Sequence, residues 1–387
     1  MSFRFTTAGE SHGPGLVTIV EGLPAGLELD REALDRDMAR RQLGHGRGGR
    51  MKIETDSVEL RAGVRHGKTM GGPVAALVAN RDYKNWDERM NPWPVEAEIP
   101  PVTLPRPGHA DMVGMWKYKH DDLRPILERA SARETAARVA AGTFARAFLD
   151  AIGVTVRSHV IQIGSVHAPE REDLAAADFD RVDEDPVRCL DPETSARMVE
   201  EINVLRKKNE SLGGSFEVCV FGLVPGLGGH ISWDQRLDGR LAQAICSIQA
   251  VKGASIGPAW DVAGRPGSQA HDEIFYSKER GYYRETNHAG GLEGGMTTGE
   301  TLMVRAALKP ISTMTKPLRS VDMATGEPAR AHKERTDSAV VPAAGVVGEA
   351  MICLTLAAAY REKFGGDHID DVREAIDRYR ERIGWRR

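Results

Sequence analysis

Two stretches of small and apolar residues constrain this chain more than any other feature. "SARETAARVAAGTFARAFLDAIG" begins at Ser131, and "PAAGVVGEAMICLTLAAAYREKFGG" begins at Pro342. Both read as helices: the alanine-rich interior of the first predicts close packing against other elements, and the second is very apolar. Ser131 with Glu134 three residues on has the form of a capping box. "SWDQRLDGRLAQAICSIQAVKG" repeats the device with Ser232 and Gln235, and its helix is expected to stop at Gly253. "DREALDRDMARRQLG" reads as a helix with Asp30 as N-cap and Gly44 just past its end. The chain closes on an amphipathic helix with Ile369, Val372, Ile376, Tyr379 and Ile383 on one stripe.

Strand patterns are interspersed. "GLVTIVEGL" (15–23) reads as a buried strand, and "MKIETDSVELRAGV" alternates like a strand or hairpin. Six prolines between Asn91 and Pro107 predict a long loop, and the acidic residues 165–200 an exposed excursion. "GKTMGGPVAALVAN" and "GLEGGMTTGETLMVRAAL" faintly resemble each other, hinting at an internal repeat. Length would allow two or three domains, but no linker divides the 387 residues, and one mixed unit over 1–387 is expected. The N-terminus lacks a signal-peptide core, and no run is read as the roughly 20 apolar residues of a membrane span. The four cysteines are far apart without a CxxC pair, as in a reduced cytoplasmic protein. No metal site is expected.

Against a net charge of −4, the stretch "RRQLGHGRGGRMK" (40–52) is anomalous. It gathers Arg40, Arg41, Arg47, Arg50 and Lys52 among four glycines, with no acid. Glycine lets backbone approach a ligand closely, and arginine grips carboxylate or phosphate with two parallel bonds. A solvated basic loop is the plainer reading. The acidic total argues against nucleic acid, so a small anion is the better partner. Gly44, Gly46 and Gly49 spell GxGxxG, but a helix precedes them and a strand follows, the reverse of a dinucleotide site. "AGVRHGKT" (62–69) imitates a phosphate loop, yet Gly71-Gly72-Pro73 follow where a helix should start, so a turn between strands is expected.

Other stretches repeat the anion theme. "RPGHAD" carries Arg106 and His109; "ERASARE" puts Arg129 and Arg133 either side of Ser131, at a helix start that attracts anions by itself. "KPISTMTKP" offers Lys309, Ser312 and Thr313. Asp337 follows Arg335 by two, an ion pair or a base. His12, between Ser11 and Gly13, is accessible enough to donate a proton. Residue types and spacing lead as far as a site for a multiply charged, phosphate-bearing small molecule.

"GESHG", "RRQLGHGRGGRM", "RPGHAD", "RASARETAARVAAG", "SIQAVKG", "NHAGGLEGGMTTGE", "KPISTM" and "RTDSAVVPAAGVVGEAM", in this order from Gly9 to Met351, resemble the chorismate synthase family. The resemblance implies an α+β fold, a β-α-β sandwich with helices between antiparallel sheets, assembled as a homotetramer. It implies a lyase that converts 5-enolpyruvylshikimate 3-phosphate to chorismate by 1,4-anti elimination of phosphate. Reduced FMN is required without net redox change, in the last step of the shikimate pathway of aromatic amino acid biosynthesis. Reduced FMN is the cofactor implied, and NADP is a term that goes with the family; with no second domain for reducing flavin, an external flavin reductase or free reduced flavin is expected.

By the same resemblance Ser11, Arg41, Arg47, Arg50, Arg106, Arg133 and Arg335 hold substrate. Arg129, Ala130, Ser131, Gln249, Ala250, Gly294, Lys309, Pro310, Ile311, Ser312, Thr313 and Arg335 match flavin-binding positions. His12 matches the residue that protonates the departing phosphate, His109 one that sets flavin protonation, and Asp337 one that helps take up the ring hydrogen. Many relatives carry serine where this chain has Ala130; loss of one side-chain bond there is worth about 0.5–1.5 kcal/mol. Two rival readings are a nucleotide hydrolase using Lys68 and an RNA-binding module using 40–52. The missing helix disfavours the first, and 6% aromatic content the second.

Overall fold

A computed structural model describes residues 3–48, 54–171, 173–334 and 337–385. Two all-antiparallel sheets enclose the two apolar helices. The first sheet runs Arg4–Gly9, Gly15–Glu21, Val74–Ala79, Glu59–Ala62 across its width. The second runs Val251–Ile256, Leu302–Leu308, Gly214–Phe221, Thr155–Ile163, Val166–His167. Helix Thr135–Ala151 packs on the first sheet and helix Val341–Phe364 on the second, and the helices pack on each other. This is the expected sandwich.

The small residues explain the spacing. A Cβ on Gly142 would lie 2.4 Å from Ala350 Cβ, and one on Gly348 2.4 Å from the Phe216 ring. At such separations any larger residue would force the layers apart. Helix Val341–Phe364 is, by length and composition, apolar enough to cross a membrane, contrary to the expectation that no run is. Its most apolar window is 89% buried between the layers, so it reads as a core helix.

Arg31–Gln42 is helical with Asp30 accepting from Glu32 N–H at 3.0 Å, as expected. The C-terminal helix is Ile369–Ile383, with Ile369, Val372 and Ile376 buried. The two faintly similar stretches take one form. Each is a short hairpin (Val64–Arg65 with Lys68–Thr69; Leu292–Glu293 with Met296–Thr297) leading into an interior strand of its sheet. The phosphate-loop imitation is therefore a hairpin, turning at His66 and Gly67 with φ of 51° and 75°.

Three local expectations fail. Ser131 does cap, accepting from Arg133 N–H at 3.2 Å, but it caps a 3-10 turn, Ala132–Glu134. The Glu134 carboxylate closes no box; it is taken by Thr7, Arg138 and Gln249. The helix after Ser232 runs only Leu237–Cys246, because the chain joins the second sheet as strand Val251–Ile256. Residues 165–200 are not simply exposed: Phe179, Val187 and Cys189 are buried, and Arg188 enters the core.

Candidate active site

The distant motifs meet in one cavity of about 490 Å³, within the usual range for small-molecule sites. Ser11, His12, Arg41, Arg47, Arg106, His109, Arg133, Lys309 and Asp337 all line it. So do Ala130, Ser131, Gln249, Ala250, Ile311, Ser312 and Thr313. Three helices begin at its wall: Ala110 precedes Asp111–Tyr118, Ser131 leads toward Thr135–Ala151, and Val340 precedes Val341–Phe364. Helix N-termini carry partial positive charge, so the backbone adds to the arginines. Only the Ser131 terminus was foreseen.

The glycines of the 40–52 stretch have their reason here. Gly44 and Gly46 have φ of 114° and 93°, and a Cβ on Gly46 would meet the backbone nitrogen of Ala339 at 3.1 Å. The loop therefore lies directly on residues 337–339. Ser338 N–H donates to Gly46 O at 2.8 Å, Gly48 N–H donates to Asp337 Oδ1 at 2.5 Å, and Arg47 lies 3.2 Å from Asp337. Asp337 thus pairs with Arg47, 290 positions away by chain. Arg50 and Arg335 lie outside the described residues.

Buried carboxylates stand behind the cations. Asp56 accepts from Arg41 at 2.7 Å and from Arg133 at 2.6 and 2.8 Å, and the buried Glu54 lies 3.8 Å from Arg133. Burial alone would raise the Asp56 carboxyl; the two arginines hold it below its ordinary value. Burial lowers Arg41 to about 10 despite Asp56, which leaves it cationic near neutrality. Arg41 Nε is buried without a partner among the described residues. Asp111 accepts from Arg106 at 2.9 Å and bonds His109. Burial opposes its ionisation, but these bonds hold it well below the carboxylate range. Arg106 also fixes Thr313 Oγ1 at 2.9 Å, and Lys309 donates to Gly108 O.

His12 is buried and bonded through Nδ1 to Glu128 at 3.0 Å. Asp56, Asp111, Glu128 and Trp86 were not singled out in the sequence; an acid beside each basic motif was the only available signal. Three expected positions do not line the cavity. Arg129 is not on the cavity wall; its guanidinium ties to Thr7 O and Gly9 O, both at 2.9 Å. Gly294 sits in the hairpin turn beside Gly295, which packs on Arg236 and Gly229. Pro310 lies between the lining residues Lys309 and Ile311 without lining the wall itself.

Leu127, Ile248, Leu308, Val340, Ala343, Ala344 and Val347 give the lining an apolar part. Small side chains at the start of the long helix leave room for a flat ring. Gln249 Oε1 is buried without a partner among the described residues, an acceptor awaiting a donor. These features fit a flavin bearing a phosphate.

Fold and cavity together define a mixed α+β protein with a small-molecule pocket lined by several cations. The chorismate synthase family model matches residues 3–360. A chorismate synthase of Rubrobacter xylanophilus is 56% identical over 384 residues, covering 99% of this chain and 98% of its own. That of Thermus thermophilus is 53% identical over 386 residues, with coverage of 98% and 99%. A crystal structure of a chorismate synthase superposes with a TM-score of 0.80 at 39% identity, covering 99% of this chain and 98% of that one. The chain belongs to the chorismate synthase family.

Proposed function

We propose that this chain eliminates phosphate from 5-enolpyruvylshikimate 3-phosphate in the 1,4-anti sense to give chorismate, using reduced FMN without net redox change. The observation that carries this reading is the convergence of His12, His109, Asp337 and the cations of four separate segments on one cavity. The substrate carries two carboxylates and a phosphate, which a poorly hydrated pocket admits only against fixed positive charge.

Arg41, Arg47, Arg106 and Arg133 would hold substrate anions, pre-set by Asp56, Asp111 and Asp337 so that little ordering remains on binding. Lys309, Ser312, Thr313, Ser131 and Gln249 would hold FMN, with the apolar wall under its ring. When bound, reduced FMN supplies transient electron density to the breaking C–O bond. His12 gives a proton to the departing phosphate. Asp337 assists loss of the ring hydrogen, and His109, fixed by Asp111, offers a proton beside the flavin pocket. Water exclusion by the apolar wall strengthens each of these interactions. The same reading carries a homotetramer in the cytoplasm supplied with reduced flavin from outside.

Anaerobic turnover tests it. Phosphate and chorismate should form only with reduced FMN present; equal phosphate release without flavin would refute the reading. His12→Ala should lower kcat by about 10²–10⁴-fold, the range of a lost acid catalyst, with KM little changed.

A further inference from the structure

His12 is gripped on two sides. Its backbone N–H donates to Glu128 Oε2 at 2.8 Å, and its Nδ1 lies 3.0 Å from both Glu128 oxygens. Its ring stacks on Trp86, centroids 3.9 Å apart and planes 21° apart. Arg124 lies over the same indole at 5.2 Å and donates to Glu128 Oε1 at 3.0 Å. The Glu128 side chain has no exposed surface, so its negative charge is spent on these two partners.

We propose that Glu128 is the positioning residue for His12, holding a proton on Nδ1 so that Nε2 is the nitrogen that serves the departing phosphate. This rests on the elimination proposed above. Before the step the ring carries protons on both nitrogens. The Nε2–H bond breaks, an O–H bond forms on the leaving phosphate, and neutral imidazole remains with Nδ1–H still bonded to Glu128. The ring hydrogen lost from the substrate in the same turnover balances the proton given up. Trp86 supplies the second restraint, since the stacked indole keeps the imidazole from tilting out of its plane.

The charged surroundings are paired. Arg124 also reaches Glu334 at 3.3 Å, Glu334 bonds His332 at 3.0 Å, and Arg89 lies 5.6 Å from the Trp86 centroid. The carboxylate that faces the imidazole directly is Glu128. Burial would raise its carboxyl, yet the bonds from His12 and Arg124 hold it below the ordinary value, so it stands ionised.

Glu128→Gln keeps shape and one acceptor for the backbone N–H while removing the charge. Nitrogen-15 spectra of histidine-labelled protein without flavin should show neutral His12 protonated at Nδ1 in the parent. In Glu128→Gln the two tautomers should mix or reverse. In turnover, kcat should fall about 10²–10⁴-fold with KM within about threefold, because a mis-set tautomer disables the acid without touching the anion clamp. Glu128→Asp keeps the charge and should retain the Nδ1 proton; it serves also if the glutamine variant does not fold. An unchanged tautomer in Glu128→Gln, an Asp variant that loses it, or a KM rise matching the fall in kcat/KM would overturn the proposal. A parent enzyme that releases no phosphate with reduced FMN would refute the elimination instead, and the tautomer measurement would still decide the role of Glu128.

Discussion

Arg40 and Arg41 are neighbours in the chain and end in opposite surroundings. Arg40 donates to both oxygens of Glu349 at 2.8 Å and to Asp37 and Asp183, each at 2.8 Å. Arg146 and Arg188 reach the same Glu349 at 2.6 and 3.0 Å, and Ser158 completes its shell at 2.6 Å. Three guanidiniums thus meet two buried carboxylates, Glu349 and Asp37, with the exposed Asp183 reaching Arg40 from outside. Burial would raise the Glu349 carboxyl, but the arginines hold it far below its usual range. Arg41 shares one carboxylate with Arg133, and both arginines line the cavity. A buried arginine is therefore no sign of a ligand by itself. An arginine whose side chain lines open space is a better one.

The largest expected effect falls on the closed cluster. Glu349→Ala leaves three cations buried without their shared partner and should cost about 3–5 kcal/mol in chemical denaturation, or prevent folding. A loss under about 1 kcal/mol would show that the cluster is not closed. Next, the neighbouring arginines should separate cleanly. Arg40→Ala should lower stability by about 3 kcal/mol with KM little changed in molecules that fold. Arg41→Ala should raise KM about 10–100-fold, the worth of a charged hydrogen bond, while Asp56 stays paired with Arg133 and unfolding shifts little. The reverse pattern would break the comparison.

A smaller effect is read by pH. Burial raises the Glu334 carboxyl, but His332 and Arg124 bring it down to about 2 from 4.5. Its contribution is present above pH 4.5 and is lost as pH falls toward about 2. Glu334→Gln should therefore flatten that part of the stability profile, measured by thermal unfolding across acid pH. The smallest effect is that of salt. Raising ionic strength from about 0.05 to about 0.5 M should weaken substrate affinity a few-fold at the open cavity. The melting temperature, governed by buried pairs, should move much less.

Much of the local structure could be read directly. The Asp30 cap, the long helix from the Pro342 segment and the terminal amphipathic helix follow from caps and periodicity within a few residues. The failures have local causes too. Glu134 is drawn from its box by Thr7 and Arg138, and the stretch after Cys246 becomes a strand because it completes a sheet. Residues 165–200 look exposed by composition, yet Arg188 and Asp183 are consumed by the core cluster. Trp86 and Glu128 carry no motif of their own, so nothing local marked them as partners of His12.

The sequence by itself determined the helices, the small residues that let layers approach, and the family motifs that nominate the cavity residues. The tertiary structure decided which cations are closed and which open. That decision depends on partners 309 positions apart for Arg40 and Glu349, 77 for Arg133 and Asp56, and 116 for His12 and Glu128. Local propensity acts over a few residues, whereas Coulomb pairing acts over a few ångströms, and only folding converts one distance into the other.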